Sequence, residues 1–232
     1  MKEYIKKTLL CIVPLLFAGS VLFANDIYVT QSGDTLDLDI TQDGQNNTVG
    51  NSTTASSSTG ATTTLNIDQI GNSNVITYQI NGATYTGVIN LVGNSNNVDL
   101  NCDSTGNNSS CGTANAVINF TGNSNDIDLD IGQTSSANNA DVDIVGQSGS
   151  DSNVVAATVD GNSAILTITV NGDTNNWLVD IDGNGDINGH TLIHTHTGGI
   201  ADVDIVQSGV NDQMITLTTS GDNHDIDIQQ TD

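Results

Sequence analysis

The side chains best placed to do chemistry are carboxylates two residues apart. Asp37/Asp39, Asp126/Asp128/Asp130, Asp141/Asp143, Asp180/Asp182, Asp202/Asp204 and Asp225/Asp227 each enclose Ile, Leu or Val. On an extended strand, residues two apart share a face, so each set is an acidic face opposite an apolar one. Where such strands stack, carboxylates of neighbouring strands lie about 5 Å apart and repel by roughly 1 kcal/mol even at the dielectric of water. A hard cation with six to eight oxygen ligands, Ca²⁺, would relieve that repulsion. A merely solvated acidic face is the alternative. The segment DIDGNGDINGHT, residues 180–191, offers Asp180, Asp182, Asn184, Asp186 and Asn188 as calcium ligands in EF-hand order, with Thr191 where the bidentate Glu belongs. Its flanks are strand-like, so a turn between two Asp-rich strands competes with that reading. His190, His194 and His196 share parity and would leave one strand on one side, as outward polar positions or as ligands for zinc or nickel.

Catalysis finds little support. Paired carboxylates can hydrolyse glycosides, but Asp is everywhere and no pair stands apart. All 3 Lys+Arg residues, Lys2, Lys6 and Lys7, lie in the first seven positions, so the rest of the chain has no cation to stabilise a developing anion. The expectation is a protein that is not an enzyme and requires no cofactor, with Ca²⁺ as its one possible ion.

The elements that position these residues begin after an export signal. A basic start, an apolar run from Thr8 to Phe23 and the small Ala24 read as residues 1–24 of a secretory leader. Asn25 to Asp232 then form a single 208-residue domain with 26 Asp and no Lys, Arg, Glu or Pro. Such a chain cannot neutralise phosphates, which excludes nucleic acid and anionic membrane as partners, and no membrane insertion follows leader cleavage. The expected location is outside the cell, secreted or held at a bacterial surface. There Cys102 and Cys111, flanking DSTGNNSS, are expected to close a small disulfide loop.

Glycine recurs at a fixed interval. Gly71, Gly82 and Gly93 are 11 apart, as are Gly161, Gly172 and Gly183, with apolar residues alternating between them. Eleven residues make one strand and a tight turn, so two such half-coils close a coil of about 22 residues with two strands. The fold class expected is all-β: a β-solenoid whose coils stack about 4.8 Å apart, able to continue as a cross-β-like fibre. The missing Pro agrees, since Pro removes a ladder donor, and the glycines suit turns of positive φ. At the turn, QDGQNN and QIGNSN place Gln42, Gly44, Asn47 and Gln69, Gly71, Asn74 in one pattern. Shorter copies keep Gly93/Asn96, Gly122/Asn125 and Gly172/Asn175. One coil apart, identical amides can hydrogen-bond along the stack.

In these residues the chain resembles the curlin repeat family, the subunits of curli fibres. The resemblance covers most of Asn25 to Asp232 in period and in Gly, Asn and Gln content. It implies a structural subunit of an extracellular functional amyloid that serves biofilm matrix and surface adhesion. It also implies an outer-membrane secretion pore, a nucleator and further copies of the chain itself as partners. Val49 and Ile76 stand where that family has a small residue. A monomeric solenoid, a calcium-dependent adhesin or an ice-binding protein using the threonine pairs Thr167/Thr169 and Thr216/Thr218, which do not recur on every coil, is the alternative.

Overall fold

Alternating apolar residues with small polar turns leave the backbone one economical arrangement, in which each strand pairs with its counterpart one coil away. The computed structural model describes residues 24–44, 46–50, 55–102, 111–132, 139–147, 149, 151–161, 163–182, 190–209 and 213–231. Residues 1–23 of the expected leader and residues 183–189 of the candidate calcium loop lie outside them. The described chain is a parallel β-solenoid without helix, its coils about 26 residues apart.

Two sheets face each other across the core. The first stacks Ala24–Ile27, Asn46–Val49, the start of Ser73–Val92, Ser95–Cys102 and Asp126–Gly132. It continues through Asn153–Asp160, Asn175–Asp182, Ala201–Ser208 and His224–Thr231. The second stacks Thr35–Asp43, the end of Ser56–Ile70, the end of Ser73–Val92, Thr113–Thr121 and Asn139–Gly146. Ser163–Asn171, Thr191–Thr197 and Met214–Ser220 complete it. Thr30–Ser32 and the start of Ser56–Ile70 extend the first sheet at its edge.

The 22-residue coil is the uninterrupted unit. Asn74 pairs with Asn96 and Asn153 with Asn175, both 22 residues on, while Asn97 pairs with Asp126, 29 residues on. Five added residues lie within the first sheet, between Val49 and Ser56, which pair with Ile76 and Tyr78; the rest of the extra length lies at the corners. From the last inward residue of the second sheet to the first of the next coil, the step is five: Gln42 to Asn47, Gln69 to Asn74, Phe120 to Asn125, Val170 to Asn175. Only Gly146 to Asn153 is longer. At the opposite corner Ile80 to Tyr85 is also five, but Ile131 to Ala140 is nine and Cys102 to Ala114 is twelve.

Inward residues form continuous apolar columns, such as Ile76, Val98, Ile127, Val155, Trp177 and Val203, all buried. Burying each large side chain is worth about 1.5–3 kcal/mol, and in-register stacking places like on like. The turn glycines divide: Gly122 and Gly221 have the positive φ expected, whereas others serve a different need. Gly71 and Gly93 are not in the left-handed region; a Cβ on either would collide with the carbonyl of the glycine one coil before, Gly44 or Gly71. Stacked backbones approach too closely there for any side chain.

Candidate functional site

The recurring asparagines of the five-residue corner are buried and point inward. Asn74 Nδ2 donates to Asn96 Oδ1 at 2.7 Å, Asn96 to Asn125 at 2.5 Å, Asn125 to Asn153 at 2.5 Å and Asn153 to Asn175 at 2.6 Å. All four bonds run in one direction along the stack. Asn47 stands at the head but donates to the Gln42 and Ile70 carbonyls. A buried amide left without partners costs about 1–3 kcal/mol, so the ladder ties each coil to the next.

Gln42 and Gln69 are buried beside it, and Gln69 Nε2 donates to Gln42 Oε1 at 2.6 Å. The glutamine stack stops there, because Leu91 and Phe120 occupy the next positions. A second glutamine pair appears in the other sheet at the far end, where Gln230 Nε2 donates to Gln207 Oε1 at 3.3 Å.

Asn153 was not among the sequence candidates. One additional residue between Gly149 and Asn153 breaks the glycine-to-asparagine spacing, and the Ser-Asn dipeptide shared with 73–74, 95–96 and 124–125 is the available signal. The ladder ends where Ala201 follows Asn175 in register. His196 reaches in from the second sheet, with its Nδ1 3.2 Å from Asn175 Nδ2.

The histidines overturn the outward expectation. His190, His194 and His196 are buried, because their parity matches the inward residues Ala164, Ile168 and Val170 of the coil before. The His194 ring meets Trp177 edge-on at 5.1 Å, and His196 meets His224 at 5.1 Å. Neither nitrogen of His194 has a hydrogen-bond partner among the described residues. Burial, helped by the neighbouring His196, pushes its pKa down to about 4. His196 is lowered by burial and by His224, against an opposing pull from Asp173. Among the described residues, no three His, Cys, Asp or Glu side chains converge on a point that could hold a metal.

The acidic rows face outward, but stacking mostly separates carboxylates. Asn66 Nδ2 donates to Asp39 at 2.8 Å, Asn90 to Asp68 at 2.6 Å, and Asn97 and Asn101 to Asp126 and Asp130 at 3.3 Å. Amides on the adjacent coil thus do what the absent Lys and Arg would do. Carboxylate lies on carboxylate at Asp99/Asp128, Asp202/Asp225 and Asp204/Asp227. At Asp99 and Asp128 partial burial, then the charge of Asp130, raises both pKa values. Of the candidate calcium ligands, Asp180 lies on strand Asn175–Asp182, and Asn184, Asp186 and Asn188 fall outside the described residues.

Cys102 and Cys111 are joined across the longest corner, with Cα atoms 5.8 Å apart, a separation a disulfide spans without backbone movement. On the second sheet the last three coils carry no charge outward. Thr169, Thr195 and Thr218 stack in register, beside Thr167, Ile193 and Thr216.

The end strands are the least covered part of the molecule. Among the described residues, His224–Thr231 and Met214–Ser220 pair on one side only, as do Ala24–Ile27 and Thr35–Asp43. Ile226, Leu217, Leu36 and Leu38, whose equivalents within the stack are buried, are partly open, and Ile228 is 48% exposed. No protein-family model, curated protein or solved structure matches this chain.

Proposed function

We propose that this chain is a secreted structural subunit that adds end to end into an extracellular curli-like fibre, a functional amyloid of biofilm matrix and surface adhesion. The observation that carries this reading is the open end strands. Each presents a row of unpaired backbone groups above half-covered Ile and Leu side chains, and no Lys or Pro in residues 25–232 blunts them. An added coil satisfies those groups and buries those side chains, as every internal coil does. Export by a leader at residues 1–24, passage through an outer-membrane pore and start-up by a nucleator belong to the same reading. The test is electron microscopy and fibre diffraction of the exported chain: fibres with a 4.7–4.8 Å meridional reflection are expected. A chain that stays monomeric at high concentration, at neutral and acid pH and with calcium, would overturn it.

One observation favours a second reading. The threonine pairs that appear isolated in sequence are linked through Thr195 into a row on three consecutive coils. A flat, uncharged threonine face suits an ice-binding module. Thermal hysteresis in a chain that forms no fibres would decide for it.

A further inference from the structure

The described strands open and close in the same sheet. Ala24–Ile27 and His224–Thr231 both belong to the first, so the second holds one strand fewer. A subunit added by simple translation, first sheet on first sheet, would leave one empty strand position in the second sheet at every joint. That gap is about 4.8 Å deep and would expose the core. A half-turn about the fibre axis removes it. The incoming Thr35–Asp43 then lies on His224–Thr231, and the incoming Ile27 to Gln31 lies on Met214–Ser220.

The sequences of the two ends fit that exchange. Thr35–Asp43 presents Leu36, Leu38, Ile40 and Gln42 inward, and His224–Thr231 presents His224, Ile226, Ile228 and Gln230 at the same spacing. Outward, Asp37 and Asp39 match Asp225 and Asp227. Each strand already carries a glutamine pair behind it, Gln69 on Gln42 and Gln230 on Gln207, and in both the later residue donates to the earlier. Gln42 of an incoming copy would donate in the same direction to Gln230 Oε1, joining the two pairs into one four-membered ladder.

We infer that subunits join by a half-turn screw, with Thr35–Asp43 of one copy pairing in register on His224–Thr231 of the next and Gln42 seated on Gln230. This rests on the fibre reading and specifies its joint. It places Asp37 and Asp39 above the Asp225 and Asp227 stacks, making columns of three carboxylates at each joint. It also alternates the acidic and threonine faces along each side of the fibre.

The joint is testable with paired cysteines, because aligned residues on parallel strands lie about 4.8 Å apart, within disulfide reach. Asp39→Cys with Asp227→Cys in the exported chain should give covalent multimers after mild oxidation of preformed fibres, reversed by reductant. Tyr28→Cys with Asp227→Cys, aligned only under translation, should give at least tenfold fewer. Equal or preferential cross-linking through Tyr28 overturns the half-turn joint, as do fibres in which neither pair cross-links. Helical reconstruction of fibres of the unsubstituted chain gives an independent answer: the sheets exchange sides at each joint, or they do not and the inference fails. Absence of fibres from the unsubstituted chain defeats the fibre reading itself, a different result from fibres with another joint.

Discussion

The middle and the last coils solve one packing problem with different chemistry. From Asn74 to Asn175 the corner position is filled by amides, each donating to the next coil. Beyond Asn175 the same space holds Ala201, His196 and His224, and several imidazole nitrogens have no partner among the described residues. An amide stack satisfies itself by repetition and does not titrate. A buried imidazole is compatible with the core only while neutral, since burial penalises its charged form. The ladder that ties the middle coils therefore does not itself respond to pH, and the end is conditional.

The largest effect should come from breaking the ladder at its centre. Asn125→Ala removes the acceptor of Asn96 and the donor to Asn153, leaving two buried amides short, at a cost of about 2–4 kcal/mol. Asn72→Ala, on an exposed turn position, should cost almost nothing. Denaturant midpoints of the two variants check this, and equal losses would reduce the ladder to turn decoration.

Acid should produce the next effect, confined to the last coils. The pKa of His194 is about 4 in the folded chain against about 6.5 unfolded, so the unfolded state binds more protons between those values. Its contribution is fully present above pH 6.5 and is lost as pH falls toward 4, about 3 kcal/mol in all. Hydrogen exchange should show Thr191–Thr197 losing protection in that window while Asp126–Gly132 keeps it. His194→Leu, between Ile168 and Leu217 in register, should flatten that dependence.

The smallest effect lies on the outer face and has the opposite sign. Asp99 and Asp128 have raised pKa values, so the folded chain holds their protons more tightly and this stack gains stability as pH falls through the raised values. Asp128→Asn should stabilise the chain at neutral pH by less than about 1 kcal/mol and leave the acid response of the end coils untouched. Thermal melts at pH 7 and pH 4 separate the two.

What was legible in the sequence follows from the same geometry. The five-residue corner keeps its length in all coils but one, so its Gln-x-Gly-x-x-Asn spacing survives in one dimension and makes the solenoid and most of the ladder legible. Asn153 was hidden by one added residue after Gly149. The inward histidines were misassigned because polarity suggested solvent, whereas parity with Leu192, which is buried on the same strand, placed them inside. The glycines were expected on conformational grounds, but the contact that requires Gly71 is with a residue 27 positions earlier, Gly44. That contact exists only once the coils are stacked.

The unequal corners divide the labour of change. One holds the phase of the stack at a five-residue step in every coil but the one that enters Asn153. The other varies from five to twelve residues while the strands on either side keep their register. Lengthening a surface loop costs only about 0.6 kcal/mol per doubling, so foreign peptide added next to Cys102 and Cys111 is charged little by the fold. In a fibre built with the half-turn joint each such graft would appear on alternate edges, once every second subunit along either one, turning a structural filament into a regularly spaced, two-sided display.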